Sequence, residues 1–406
     1  MGFVSRNRSF LLLWCGQVLS QSGGRAGQIA LVWWAVNLHP EGAGRRVGMI
    51  FVAAALPVVL FVRWIGGFID DSRSRRVLVG ADAAASVTWL SLAGCAAAGL
   101  ISFPVACAGV FVAATLQALL DPTLNRSVAE VVEIDDVERG VALLASTTSI
   151  ANFAGAAGGA ALIGVLGTAG VLAVVSLGYG ISSLLSARVR FPFARAAGGV
   201  EGSAAGWSLL EPFPLVKTVL VGFGAVNFFA TPTLVVLPLY VSQALGGDAR
   251  VLGSLEACLW LGLLGGTALA GAWKSGDAVL GIGAGCLAVM SLSLWVPGLV
   301  VSIGAYGVAL AAMGAALGVN NVKFVAFFQR EIPQALKGRF FALMSAVVGA
   351  TFPVAHLLFG VLGDLVSPPA LCRVQGAGVA LVAGYFAWLA WRAGEWRWGH
   401  GVPQSG

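Results

Sequence analysis

In a strongly apolar chain, the polar side chains that interrupt the hydrophobic runs carry the chemistry. Gln17, Gln21, Arg25 and Gln28 follow one another at intervals of four, four and three residues. On a helix that spacing puts all four on one face. Arg does not readily shed its proton, so Arg25 must be paired or hydrated. The spacing predicts a polar wall on which Arg25 meets an anionic or oxygen-rich part of a bound small molecule; a structural pairing with a carboxylate is the alternative. Asn227 and Thr231 lie four apart, just before Pro232 and Pro238, and Trp260 follows Glu256 by one turn. Together with Asn320 they complete the candidate cavity lining. Glu256 and His356 are the candidates to take up and release a proton. Burial can bring a carboxylate into a working range, and His titrates near neutrality. The alternatives are a solvated Glu256 at an interface and a His356 that only hydrogen-bonds within the bundle. Asp82, Asp121 and Asp364 fall near the ends of apolar runs and are expected to be structural, and Tyr240 is expected at an interface.

The elements that would hold these residues are membrane helices. Of 406 residues, 58% are hydrophobic and only 10% charged, against about 25% charged in soluble domains. A crossing needs about 20 mostly apolar residues. Spans are predicted at 10–37, 47–69, 77–100, 103–120, 141–166, 169–188, 215–243, 251–273, 278–297, 299–327, 339–365 and 371–393. Tight turns separate the third from the fourth at Ser102-Phe103-Pro104, and the ninth from the tenth near Pro297-Gly298. Gly numbers 56, and small residues let helices approach closely in lipid. The fold class is therefore all-α and integral to the membrane, with twelve helices in two pseudo-symmetric six-helix bundles.

The domains expected are a bundle at 1–189, a polar linker at 190–214, a second bundle at 215–395 and a tail at 396–406. With the N-terminus in the cytoplasm, eighteen Lys and Arg fall on the inner side and four, Arg45, Arg46, Arg250 and Arg373, outside. That asymmetry puts both termini in the cytoplasm. An internal repeat agrees with two halves: Glu133-Ile134…Arg139-Gly140 returns as Glu331-Ile332…Lys337-Gly338, an offset of 198 residues. The net charge of +6 is spread over short loops and gives no reason to expect nucleic acid.

Enzyme chemistry has no visible residues. There is no phosphate-binding G-x-x-x-x-G-K-(S/T), no G-x-S-x-G elbow and no H-E-x-x-H. The six cysteines are scattered and the three histidines, His39, His356 and His400, lie far apart, so no metal and no cofactor is expected.

Three motifs carry a family resemblance. The opening Arg6-Asn7-Arg8-Ser9-Phe10-Leu11-Leu12-Leu13-Trp14-Cys15-Gly16-Gln17, the loop Gly66-Gly67-Phe68-Ile69-Asp70-Asp71-Ser72-Arg73-Ser74-Arg75-Arg76, and Gly155-Ala156-Ala157-Gly158-Gly159-Ala160 resemble the major facilitator superfamily. Within it the opening stretch is similar to that of the branch of bacterial macrolide efflux proteins and the enterobactin exporter. The resemblance implies a secondary transporter of the bacterial inner membrane, expected as a monomer, its partners being a small-molecule cargo, a proton gradient and the bilayer. It implies proton-coupled export of a medium-sized amphipathic compound such as a siderophore or an antibiotic, by alternating access. Import of a related metabolite stays open, as do a membrane-embedded enzyme and a non-transporting sensor. Gly66, Gly67, Asp70, Arg75 and Arg76 would form a conformational latch, although Asp71, Arg73 and Ser74 depart from the family's loop pattern. Gly155, Gly158 and Gly159 would form a packing face, with Ala156 where the antiporter pattern has Pro.

Overall fold

A computed structural model describes residues 7–71, 73–193, 207–272 and 278–392, and side chains at 62–72, 138, 142, 145 and 335 are outside the description. Twelve α-helices lie among the described residues: α1 (Arg8–Val36), α2 (Ala43–Asp71), α3 (Ser74–Ala97), α4 (Phe103–Val131), α5 (Val137–Arg188), α6 (Pro214–Ala230), α7 (Thr233–Gln243), α8 (Ala249–Ala272), α9 (Val279–Leu299), α10 (Ile303–Glu331), α11 (Lys337–Leu365) and α12 (Pro368–Arg392). Helix α5 is two crossings joined at Gly167, whose φ of 65° suits only glycine well. Helices α6 and α7 make one crossing, interrupted at Thr231–Pro232. Ten helical segments among the described residues, α6–α7 counted as one, are long and apolar enough to cross a membrane; the bend divides α5 into two, α1 is as long but more polar, and apolar side chains such as Leu177, Val308 and Leu381 are turned outward. In water such a surface would drive association; in lipid it is the expected exterior.

Several helices outrun the predicted spans, α4 reaching Val131 where 120 was expected. Pro297 and Gly298 lie inside α9, and the turn comes after Leu299. A proline this near a helix end removes a single bond, so it does not end the helix. In the α6–α7 crossing the break falls at Pro232, while Pro238 sits inside α7. Tyr240 is fully buried rather than at an interface.

The internal repeat is visible in the backbone, but its register is 200 residues, not 198. Helices α4 and α10 begin at Phe103 and Ile303, end at Val131 and Glu331, and lead through 3₁₀ turns at Ile134–Asp136 and Gln334–Leu336 into α5 and α11. The Glu-Ile pairs of the sequence repeat are therefore two residues out of structural register.

The chain forms two compact units. Unit 1 holds 1–201, 232–257 and 349–368; unit 2 holds 202–231, 258–348 and 369–406. The tail and most of the 190–214 linker lie outside the described residues. In unit 1, α1 packs along α5, α3 along α5, and α2 along α4, while α7 rests on α1 and α2. One core cluster of unit 1 joins Leu31, Ile50, Trp89 and Val171 with Val235 and Leu239 of α7. Unit 2 is ring-rich: Phe324 lies 6.4 Å from Phe223 and 5.5 Å from Phe386, and Phe328 lies 4.9 Å from Phe340.

Candidate functional site

A cavity of about 320 Å³ opens in unit 1 among α1, α2, α3, α4 and α5. Three members of the α1 face, Gln21, Arg25 and Gln28, line it. Gln17 does not. It is fully buried, and its Nε2 donates to Asp82 Oδ2 at 3.4 Å.

Arg25 is engaged on two sides. Its Nη2 donates to Glu256 Oε2 at 2.6 Å and its Nη1 to Gln28 Oε1 at 2.7 Å. Both partners of the ion pair are buried, Arg25 at 9% and Glu256 at 3% exposure. The pairing that the sequence left as the alternative is therefore present, and Arg25 borders the cavity with its charge already met. A pair this short and this dry is a charge-assisted hydrogen bond, stronger than a neutral one.

Small residues make the pair possible. A Cβ at Gly155 of α5 would stand 2.7 Å from Arg25 Cβ, and one at Gly159 the same distance from Ala26 Cα, so α1 rides directly on this face of α5. Gly158 points elsewhere: its Cβ would meet no described atom within 4 Å. On the neighbouring face, Gly253 of α8 presses on Ala156 and Ala160, one turn before Glu256. Both partners of the ion pair are thus positioned by close approach to the same stretch of α5.

His356 of α11 is buried and lies away from the cavity lining. Its ring sits 5.0 Å from that of Phe51 and 6.1 Å from that of Phe352. A Cβ at Gly48 of α2 would stand 2.7 Å from the His356 backbone oxygen and 3.0 Å from Gly360 Cα, so α2 and α11 cross in backbone contact. Four residues on, Asp364 Oδ1 accepts from Gly44 N at 2.7 Å and its Oδ2 from Arg45 N at 3.2 Å.

Asn227, Thr231, Trp260 and Asn320 belong to unit 2. Asn227 Nδ2 donates to Phe223 O at 2.8 Å, one turn back in its own helix. Thr231 ends α6 half-buried, and Trp260 is half-buried in α8. Asn320 is 1% exposed, and its amide atoms have no hydrogen-bond partner among the described residues. Of the latch residues, Gly66, Gly67 and Asp70 fall in α2 with their side chains outside the description. Arg75 and Arg76 are exposed at the start of α3, and Arg75 donates to the Ala187 carbonyl.

The cavity also contains residues the sequence reading did not assign to it. Gln117 and Asp121 of α4 line it, as do Thr148 and Asn152 of α5, Trp89 and Tyr179. Gln117 Nε2 donates to Asp121 Oδ1 at 2.7 Å. Both the α4 and α5 pairs are four residues apart, the spacing that picked out the α1 face; it would have found Thr148 and Asn152 within the span predicted at 141–166, but not Asp121, which lies just beyond 103–120. Asp121, expected to be structural, is exposed to the cavity with no ion pair among the described residues. No group of His, Cys, Asp or Glu able to hold a metal occurs among the described residues.

Comparison with known proteins gives a consistent picture. A family model described as a transmembrane secretion effector matches residues 4–401. No curated protein matches the chain. Among solved structures, a bacterial homologue of the iron transporter ferroportin, in an inward-facing state, is similar with a TM-score of 0.74 and 16% identity over 96% of this chain and 100% of that one. A bacterial homologue of the human lysosomal transporter Spinster, inward-facing and unoccupied, gives 0.73 and 14% over 97% and 98%. At such identities the likeness concerns the fold.

Proposed function

We infer, on the premise that this chain belongs to the transmembrane secretion effector family and is a membrane transporter with the major facilitator fold, that it exports a medium-sized amphipathic compound by alternating access, driven by protons. The macrolide and enterobactin exporters are the branch its opening stretch resembles; that resemblance suggests a bacterial inner membrane, and the loop charges favour both termini in the cytoplasm. No chemical conversion of the cargo is part of this reading.

The observation that carries it is the Arg25–Glu256 pair, whose arginine lines the cavity. Arg25 keeps its proton, so the pair has one member that can change charge. When Glu256 takes up a proton, the attraction that ties α8 to α1 is cancelled. The cavity lining and the tie between two helices then change together, which is what coupling requires. Segments 232–257 and 349–368 pack with the first-half helices of unit 1.

The cargo reading changes in one respect. Arg25 is already neutralised by Glu256, so the case for an anionic cargo weakens. Asp121 is the carboxylate the cavity presents, beside the donors and acceptors of Gln21, Gln117 and Asn152. An amphipathic molecule with an amine or another donor-rich end fits this wall, with its apolar body along Ala54, Val58 and Ala113.

The test uses purified protein in oriented proteoliposomes with an imposed pH gradient, ethidium as the cationic probe and carboxyfluorescein as the anionic one. Gradient-driven accumulation of ethidium on the side expected for export, accompanied by counterflow of protons, is expected for the wild type. Glu256→Gln is expected to abolish accumulation while leaving downhill exchange. Equal accumulation by Glu256→Gln, or movement in the importing direction, would sink the reading.

A further inference from the structure

We propose that Asp82 is a second proton-holding carboxylate, at the opposite end of the α1 polar face from Glu256. The assignment deepens the proton-driven reading and rests on different atoms. Asp82 lies in α3 and is fully buried. Its Oδ2 accepts from Ser182 Oγ of α5 at 2.7 Å and from Gln17 Nε2 of α1 at 3.4 Å. Its Oδ1 has no hydrogen-bond partner among the described residues, and neither has Gln17 Oε1.

No cation answers this carboxylate among the described residues. From α1 the groups beside it are Gln17 and Ser20, whose hydroxyl is turned to the Gln17 carbonyl. From α5 they are Ser182 and the phenol of Tyr179. From α4 the nearest titratable group is Asp121, another acid, which shares the cavity wall with Tyr179. Arg75 and Arg76, at the start of α3 itself, are exposed. Arg25 is taken by Glu256, and Arg126 by Glu130 at 2.8 Å. An ionised carboxylate buried without a counter-charge costs several kcal/mol even after relaxation. Here it would also leave two acceptor oxygens without donors. One proton on Asp82 removes the charge and supplies the missing donor. The bookkeeping is a single step: carboxylate plus proton gives carboxylic acid, held by Ser182 and Gln17. Which end of the Gln17 amide faces Asp82 follows from that protonation state.

Position gives this proton a use. Gln17, Gln21 and Arg25 rise one turn at a time on one face of α1. Gln17 touches Asp82, Gln21 opens onto the cavity, and Arg25 holds Glu256. The face singled out in the sequence therefore runs from one buried carboxylate to another, with the cavity between them. The fold itself does not call for an acid at Asp82: 200 residues later, α9 has the apolar stretch Ile282-Gly283-Ala284.

The experiment is infrared difference spectroscopy on the full chain in lipid nanodiscs, stepped from alkaline to acidic pH in H₂O and in D₂O. Wild type is expected to show a protonated-carboxyl C=O band that shifts in D₂O and persists above the pH at which exposed carboxylates lose theirs. Asp82→Asn is expected to lose that band, and Glu256→Gln to keep it. Ser182→Ala keeps the acid and is expected to move the band's frequency, which preserves the test if Asp82→Asn folds poorly. A band unchanged in both Asp82→Asn and Ser182→Ala overturns the assignment, as does a band that disappears on adding sodium at constant pH. The measurement needs no transport. A persistent Asp82 band beside failed proton-driven accumulation would remove the coupling reading and leave this assignment standing.

Discussion

Helices α4 and α10 are one helix built twice, and they carry different chemistry. Each has 29 residues, each follows a serine, Ser102 or Ser302, and each leads through a 3₁₀ turn into the next helix. Yet α4 shows Gln117 and Asp121 to the unit 1 cavity, while the positions 200 later are Leu317 and Asn321. Helix α10 buries its cation instead: Lys323 is 7% exposed, and its Nζ donates to the Ala270 carbonyl at 3.0 Å. Around it the packing is by rings, Phe324 and Phe328 each having aromatic partners. Duplication has preserved the backbone boundaries and left side-chain chemistry free to diverge. The carboxylates proposed above to hold or take up a proton, Asp82 and Glu256, and the cavity's Asp121 all belong to unit 1.

The strongest way to break that contrast is to cut the ion pair of unit 1. Glu256→Ala leaves Arg25 buried without its carboxylate, which is expected to cost about 3–5 kcal/mol. Thermal unfolding in detergent would read this as a marked fall in Tm. Arg25→Ala should cost a similar amount, and the double variant less than the sum of the two, because no lone charge remains. Single variants that unfold with the wild type would mean that unit 1 does not depend on this pair, and the contrast with the ring-packed unit 2 would lose its main support.

Much of this was legible in the sequence, for reasons that differ by residue. The crossings follow from apolar length alone, and α5 bends within the predicted 167–168 gap because Gly167 is the residue that tolerates the turn. The α1 face was legible from its spacing. What spacing does not give is the partner: Glu256 lies 231 residues from Arg25, and only the packing of α1 and α8 on the small face of α5 brings them within 2.6 Å. Asp121 was hidden for the opposite reason, since its position near a predicted span end disguised it until α4 extended to Val131. The repeat register slipped by two because a short sequence match weighs residue identity, whereas helix boundaries weigh geometry.

A smaller change sharpens the comparison directly. Asp121→Asn writes the residue of the second half, Asn321, into the first. If Asp121 is the charge that receives an amine, ethidium binding to the purified protein should weaken roughly tenfold, near the 1.4 kcal/mol equivalent of a modest ion contact. Asp121→Glu should stay near wild type, and carboxyfluorescein binding should not fall. Fluorescence anisotropy at constant salt measures all three. Unaltered ethidium affinity in Asp121→Asn would mean the two helices differ in sequence without differing in recognition.

The smallest effect expected concerns two helix N-termini of unit 1 that are capped in different ways. The first turn of α8 is closed locally: Asp248 Oδ1 accepts from Arg250 N at 3.0 Å and Val251 N at 3.1 Å. The first turn of α2 is closed from afar by Asp364 of α11. Both carboxylates answer orphan N–H groups at the positive end of a helix dipole, so Asp248→Ala and Asp364→Ala should each cost about 1 kcal/mol. The Arg45 side chain, two-thirds exposed at 65% and 3.3 Å from Asp364, adds little in such a setting, so Arg45→Ala should change Tm less than Asp364→Ala does. Only the Asp364 cap also ties α2 to α11 beside the Gly48–Gly360 crossing. Hydrogen exchange at Gly44 and Arg45 should therefore rise in Asp364→Ala together with exchange along 356–365, whereas Asp248→Ala should loosen only the first turn of α8. If both variants loosen only the turn they cap, the distant carboxylate is a cap and nothing more.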